Sequence, residues 1–182
     1  MKSTTDETVD TAKDTSAAQQ EAPMKVEAQK EHHWLNRLVG DWRYEGEAIM
    51  ESGTPPERFQ GTETVRSVGG LWVFCEGRGE MPDGGAALTF MTLGFDPQKG
   101  GYVGTWIGSM TSFLWIYRGT LDETEKVLTL DTEGPNFDGE GLAKFQDIIE
   151  IKSDDYRLLR SQRLGEDGNW CPFMRAHYRR QT

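Results

Sequence analysis

The sequence is poor in the residues that usually announce a chemistry. Cysteine occurs twice, at Cys75 and Cys171, too few for a disulfide framework and without the spacing of a metal site. Histidine occurs three times, as the adjacent His32 and His33 and as His177; neighbours on a helix point to different sides, so a three-histidine zinc site has no basis. Positive charge is in deficit, with 20 Lys and Arg against 30 Asp and Glu and a formal charge of −10. That removes the basic face by which proteins track nucleic-acid phosphates. No apolar run approaches the roughly 18–20 residues that span a bilayer. There is no G-x-S-x-G elbow, P-loop or dinucleotide fingerprint, so the sequence assigns no catalytic residue, metal ligand or cofactor. Met1 to Gln20 lacks the apolar stretch and small-residue cleavage pattern of a secretory leader, and a cytoplasmic location is the expectation.

What is abundant is glycine, 21 of 182 residues, together with six tryptophans. Residues 1–27 carry no aromatic side chain and are rich in Ser, Thr, Asp, Glu, Gln and Ala. Such a stretch buries too little apolar surface to offset its ordering entropy, and it is expected to be a disordered tail ahead of one domain over residues 28–182. From Ala28 to Val39 the pattern is helical, with Trp34, Leu35 and Leu38 on one face and Gly40 as a stop. After Gly40 the period changes to two. Trp42, Tyr44, Gly46 and Ala48 alternate with Arg43, Glu45 and Glu47, the signature of a half-buried strand. Further alternating segments run over Arg58–Val68, Leu71–Met81, Ala87–Phe95, Tyr102–Ser109, Phe113–Tyr117, Val127–Asp131, Leu142–Lys152, Tyr156–Leu164 and Trp170–Arg180. Gly69-Gly70, PDGG, DPQKGG, LDETEK and GEDG punctuate them. Loops this short cannot hold crossover helices, so neighbours must be antiparallel. An open sheet of about ten such strands would leave two long edges, and closing it into an all-β, antiparallel up-and-down barrel removes both; a two-sheet sandwich is the alternative.

Gly40-Asp41-Trp42-Arg43-Tyr44, placed after a short helix, resembles the G-x-W opening of the first strand in lipocalins and their calycin relatives. Nearly all of His33 to Arg180 resembles the bacterial family called domain of unknown function 1579, a calycin-like family. The carrying stretches include Gly69-Gly70-Leu71-Trp72-Val73, Met91-Thr92-Leu93-Gly94-Phe95-Asp96-Pro97, Tyr102-Val103-Gly104-Thr105-Trp106 and Gly119-Thr120-Leu121-Asp122. The resemblance implies a ten-stranded calycin-like barrel with a short N-terminal helix and brings no established chemistry with it. It also implies that Trp42 packs across the closed end under a basic residue of the last strand, Arg175 or Arg179. The segment Phe173–Arg180 resembles the last strand of nitrobindin-type haem barrels. In that register the axial histidine falls at Phe173 or Arg175, and His177 lies one or two strand steps away.

The expected partner is a small apolar or amphipathic molecule held inside the barrel, oriented by one or two inward polar groups. Its candidate contacts are the aromatics Trp72, Trp106, Phe113, Trp115 and Tyr117 with Met110, and the polar Glu133, Arg160 and His177. An enzyme using His177 or Glu133 for proton transfer, a haem protein, and a packed barrel without a cavity that acts through a partner, with the tail as a docking segment, are the rival readings. Asp147 shares the face of Phe145, Ile149 and Ile151, and Glu76 that of Trp72 and Phe74. Whichever of these charges points inward must meet a partner, and a one-residue slip of register decides which do. The loop Asp131–Glu140 carries four carboxylates in ten residues, but its spacing is not that of a twelve-residue Ca²⁺ loop.

Overall fold

The last strand returns to pair with the first, so the sheet has no free edge. The computed structural model describes residues 26–49, 55–80 and 84–181. The expected polar tail therefore lies almost wholly outside the described residues, as do Met50, Met81 and parts of two loops. Among the described residues, the chain runs from a helix, α1 (Lys30–Leu35), and a 3₁₀ turn (Asn36–Leu38) into ten strands. These are β1 (Gly40–Ala48), β2 (Glu57–Val68), β3 (Trp72–Glu80), β4 (Ala86–Asp96), β5 (Gly101–Gly108), β6 (Trp115–Leu121), β7 (Val127–Pro135), β8 (Leu142–Ser153), β9 (Tyr156–Leu164) and β10 (Trp170–Arg180). Each pairs antiparallel with its sequence neighbours, and β1 closes on β10 from Trp42↔Arg180 to Ala48↔Met174. The expected up-and-down barrel is the observed one.

The helix is shorter than its sequence pattern, and the carbonyls at its end explain the difference. The Leu38 carbonyl accepts the indole N–H of Trp42 at 2.8 Å. Those of Val39 and Arg37 accept from the Arg180 guanidinium at 2.5 and 3.1 Å. Carbonyls bonded this way are not continuing an α-helical ladder. Gly40 makes the approach possible: its φ is +137°, and a Cβ there would stand 2.1 Å from Arg180 Nη1. Two strands also differ from expectation. β6 begins at Trp115 and extends to Leu121, and β7 runs on to Pro135, so Glu133 belongs to a strand and not to a loop.

Register sorts the side chains into inner and outer sets. Trp42, Val65, Val73, Leu93, Tyr102, Leu128 and Ile151 are buried at the helix end, where Trp34, Leu35 and Leu38 cover them like a lid. Glycines on the inner wall receive the large rings. Trp115 lies against Gly134, Trp106 against Gly108, and Tyr44 against Gly61 and Gly79, in each case where a Cβ would clash. Small-opposite-large packing of this kind lets the rings lie close against the wall, while inward-facing Tyr44, Thr89, Met91, Trp106 and Asp147 stay only half-buried. Beside Arg157 a cavity of about 20 Å³ remains, room for one water molecule.

Candidate functional site

The helix end is tied down by charge and hydrogen bonds. Trp42 is held between two guanidiniums, Arg180 at 4.3 Å and Arg157 at 4.7 Å from the ring centroid. The expected capping residues Arg175 and Arg179 are both exposed, on the opposite parity of β10 from Arg180, so the cation over Trp42 comes from one residue further on and from β9. Arg157 is ion-paired with Glu63 inside the barrel and also lies 4.3 Å from the Tyr178 ring. Desolvation is the largest influence on Arg157 and lowers its pKa, but Glu63, Tyr178 and Cys75 together outweigh it, so the guanidinium is held more firmly protonated than usual. The helix is anchored to the β6–β7 turn, where the Glu125 carbonyl accepts from Trp34 Nε1 at 2.8 Å and Arg37 Nη1 at 3.2 Å. Glu125 adopts φ +53° to present that carbonyl.

The other end is built from aromatic rings. Trp115 meets Phe113 and Phe145 edge-on at 5.3 and 5.1 Å. Phe137, on the loop after β7, reaches across to Phe145 at 5.5 Å and Phe173 at 5.1 Å. It is nevertheless 62% exposed, so it packs on the rim from outside. Below these rings lies a polar cluster. Asp147 on β8 accepts a hydrogen bond from Tyr117 at 2.5 Å on one oxygen and one from Ser161 on the other. Burial pushes the Asp147 pKa up, and the two hydroxyl bonds pull it partly back. The Tyr117 hydroxyl is pushed well up by burial and by the adjacent carboxylate. Two further polar atoms on this wall are buried without any hydrogen-bond partner, Trp115 Nε1 and Thr132 Oγ1. Thr132 is 8% exposed and pairs across to Phe145.

Residues 27–180 match the model of a family described as a protein of unknown function, DUF1579. The chain belongs to the DUF1579 family. A comparison with curated proteins finds no match. Among solved structures, the DUF1579 chain is similar to Rv2717c from M. tuberculosis, at 15% identity and a TM-score of 0.60, over 86% of this chain and 100% of that one. It is also similar to the S-type phycobiliprotein lyase CPES from Guillardia theta, at 13% identity and a TM-score of 0.56, over 82% and 92% of the two chains. At these identities the likeness is one of fold.

In this DUF1579 barrel the candidate contacts divide into two groups. Trp106, Trp115 and Tyr117 face inward, and the Phe113 ring packs on Trp115 from the turn before β6. Met110 sits at the rim, 46% exposed, with Sδ near Gly108. The other four are outside. Trp72 lies on the outer face, 42% exposed, with its ring over Gly94. Glu133 is exposed on the outer face of β7, and Arg160 is exposed and paired with Glu150 at 3.5 Å. His177 stacks on Tyr156 at 6.0 Å outside the barrel, its Nδ1 2.7 Å from the tyrosine hydroxyl. The cause is common to all four: register places them one residue away from the inner parity.

That placement takes the named residues away from two of the rival readings. Neither Glu133 nor His177 can move a proton inside a barrel they face away from. Haem does not fit either: the axial position corresponds to Phe173, whose ring packs on Phe137 and has no donor atom, and Arg175 is exposed and paired with Glu47. The carboxylates of residues 131–140 also separate, with Asp131 and Glu133 on the outer strand face and Asp138 bonding Asn136 and the Glu140 amide within the loop.

Sequence reasoning missed Thr132, Ser161 and Phe137. The alternation Leu128, Leu130, Thr132 marks Thr132 as inward. Ser161 and Phe137 had no such signal, because their roles come from β8–β9 pairing and from a loop crossing the mouth. Outside the barrel, α1 and the turns near β5 and β6 form a groove of about 300 Å³ lined by Trp34, Phe95 and Tyr102. There the Trp34 indole and Tyr102 hydroxyl already have carbonyl partners, unlike the indole and hydroxyl inside the mouth.

Proposed function

We propose that the wide end of the barrel binds a small apolar or amphipathic molecule, between the rings of Phe113, Trp115 and Phe145 and above the Tyr117–Asp147–Ser161 cluster. The observation that carries this reading is the pair of buried, unpartnered polar atoms, Trp115 Nε1 and Thr132 Oγ1, on one stretch of inner wall. Each such group costs about 1–3 kcal/mol of stability. A ligand with a matching acceptor or donor relieves that cost on binding. Phe137 lies over the rim against Phe145 and Phe173, so entry past it requires its ring to swing aside. That movement forfeits little apolar burial, since the side chain is already 62% exposed. Two free thiols, one exposed, suit action in a reducing compartment such as the cytoplasm.

The test is a fluorescence titration with a panel of planar and amphipathic molecules. Binding at the mouth changes the emission of Trp106 and Trp115 saturably, and Trp115→Phe removes most of the change. Absence of saturable change across a broad panel would sink the reading.

A further inference from the structure

We propose that the group a ligand presents to the inner floor of this site is a hydrogen-bond donor, an alcohol, amine or amide N–H on an apolar planar body, and that carboxylates are excluded. This rests on the reading of the wide end as a binding site and names the class of molecule it selects.

The floor offers acceptors only. Tyr117 and Ser161 both spend their hydroxyl protons on Asp147, one on each carboxylate oxygen. What remains toward an incoming group is lone pairs, on the carboxylate and on the two hydroxyl oxygens. The flanking inner positions are Leu130 and Ile149, which pair in register with Asp147 and Leu128 and offer nothing polar from their side chains. No cation answers the carboxylate. Among the described residues, the basic side chains at inner-face positions are Arg157, Arg163 and Arg180. Arg180 is bonded to Val39, Arg37 and Asp154 carbonyls at the helix end. Arg157 is already paired with the Glu63 carboxylate and is not free for a ligand's anion. Arg163 sits at the rim, bonded to Asn136 Oδ1 at 2.6 Å and lying over Phe137.

An anion pushed to the floor would therefore meet a desolvated carboxylate with no counter-charge, and like charges in that setting repel strongly. A donor would instead complete the cluster. Higher on the wall the orphaned Trp115 Nε1 can only donate, so the matching ligand carries an acceptor some way out from its donor end. Thr132 can serve either role.

The experiment uses the full chain and three matched two-ring aromatic probes that differ only in bearing an aminomethyl, hydroxymethyl or carboxylate group, titrated by calorimetry at neutral pH. The amine and the alcohol bind at least about tenfold more tightly than the carboxylate, a difference of about 1.4 kcal/mol. Asp147→Asn brings the carboxylate within a few-fold of the alcohol and weakens the amine. Tyr117→Phe, which keeps the carboxylate in place, weakens the alcohol and leaves the anion excluded; it carries the test if Asp147→Asn does not fold. A carboxylate probe that binds the native chain as tightly as the alcohol overturns the selectivity, including the case in which it is held at the rim and lost in Arg163→Gln. If none of the three probes binds, the binding reading of the wide end fails, and the selectivity with it.

Discussion

Trp42 at the helix end lies between two guanidiniums and gives its N–H to a carbonyl; Trp115 at the wide end lies on glycine and gives its N–H to nothing. The same contrast runs through the rest of both ends. The helix end pairs Glu63 with Arg157, saturates Arg180 with three carbonyls and buries Leu38, Leu93 and Leu128 completely. The wide end keeps a carboxylate without a cation, two unpartnered polar atoms and a phenylalanine in solvent. Arg157 Nε at the helix end is also without a hydrogen-bond partner, but its guanidinium is ion-paired with Glu63; the Trp115 indole N–H and the Thr132 hydroxyl have no polar partner of any kind. A barrel that serves as a scaffold for a site is expected to divide its ends in this way.

The sharpest way to break the comparison is to damage the helix end. Arg157→Met leaves the Glu63 carboxylate buried and alone, and the expected loss is about 4 kcal/mol in urea unfolding. A loss below about 1 kcal/mol would mean that the pair is no more than surface decoration. At the wide end the sign reverses. Thr132→Val replaces an orphaned hydroxyl by a methyl of the same shape, which raises stability by about 1 kcal/mol. The same change weakens ligand binding by about tenfold where the hydroxyl is used. A variant that loses stability shows that Thr132 has a partner after all.

Asp147 supplies a pH test. Its folded pKa lies above the unfolded value, so the folded chain holds the proton more tightly and stability is greatest below the ordinary carboxyl pKa. Stability then falls as pH rises through the raised folded value and is level above it. Asp147→Asn removes that decline; chemical unfolding of both proteins across the acid range reads it, and parallel curves would refute it. The smallest effect belongs to Phe137→Ala. Stability stays within about 0.5 kcal/mol, as for exposed positions generally, while stopped-flow association with a bound probe speeds up. Unchanged association would show that this ring does not gate the mouth.

Much of the fold was legible along the chain because its signals are local. The two-residue period in Trp42-Arg43-Tyr44-Glu45 follows from the pleat, and Gly69-Gly70, with φ of +63° and +75°, is a turn for steric reasons that no distant contact alters. The candidate site was half legible. Trp106, Trp115 and Tyr117 were expected on the inner wall and are there, but Trp72, Glu133, Arg160 and His177 carried the right chemistry on the wrong parity. Asp147 was visible as a charge on the face of Phe145 and Ile149, without any sign that Tyr117, 30 positions away in sequence, would meet it.

By itself, then, the order of residues determined strand number, turn positions and antiparallel connectivity, because each depends on backbone sterics and alternation over a few residues. Only the tertiary structure decided which parity faces inward, that Glu63 pairs with the buried Arg157, and that Trp115, Trp106 and Tyr44 lie against glycines. Those depend on register and closure around ten strands, where a shift of one residue exchanges the inside with the outside.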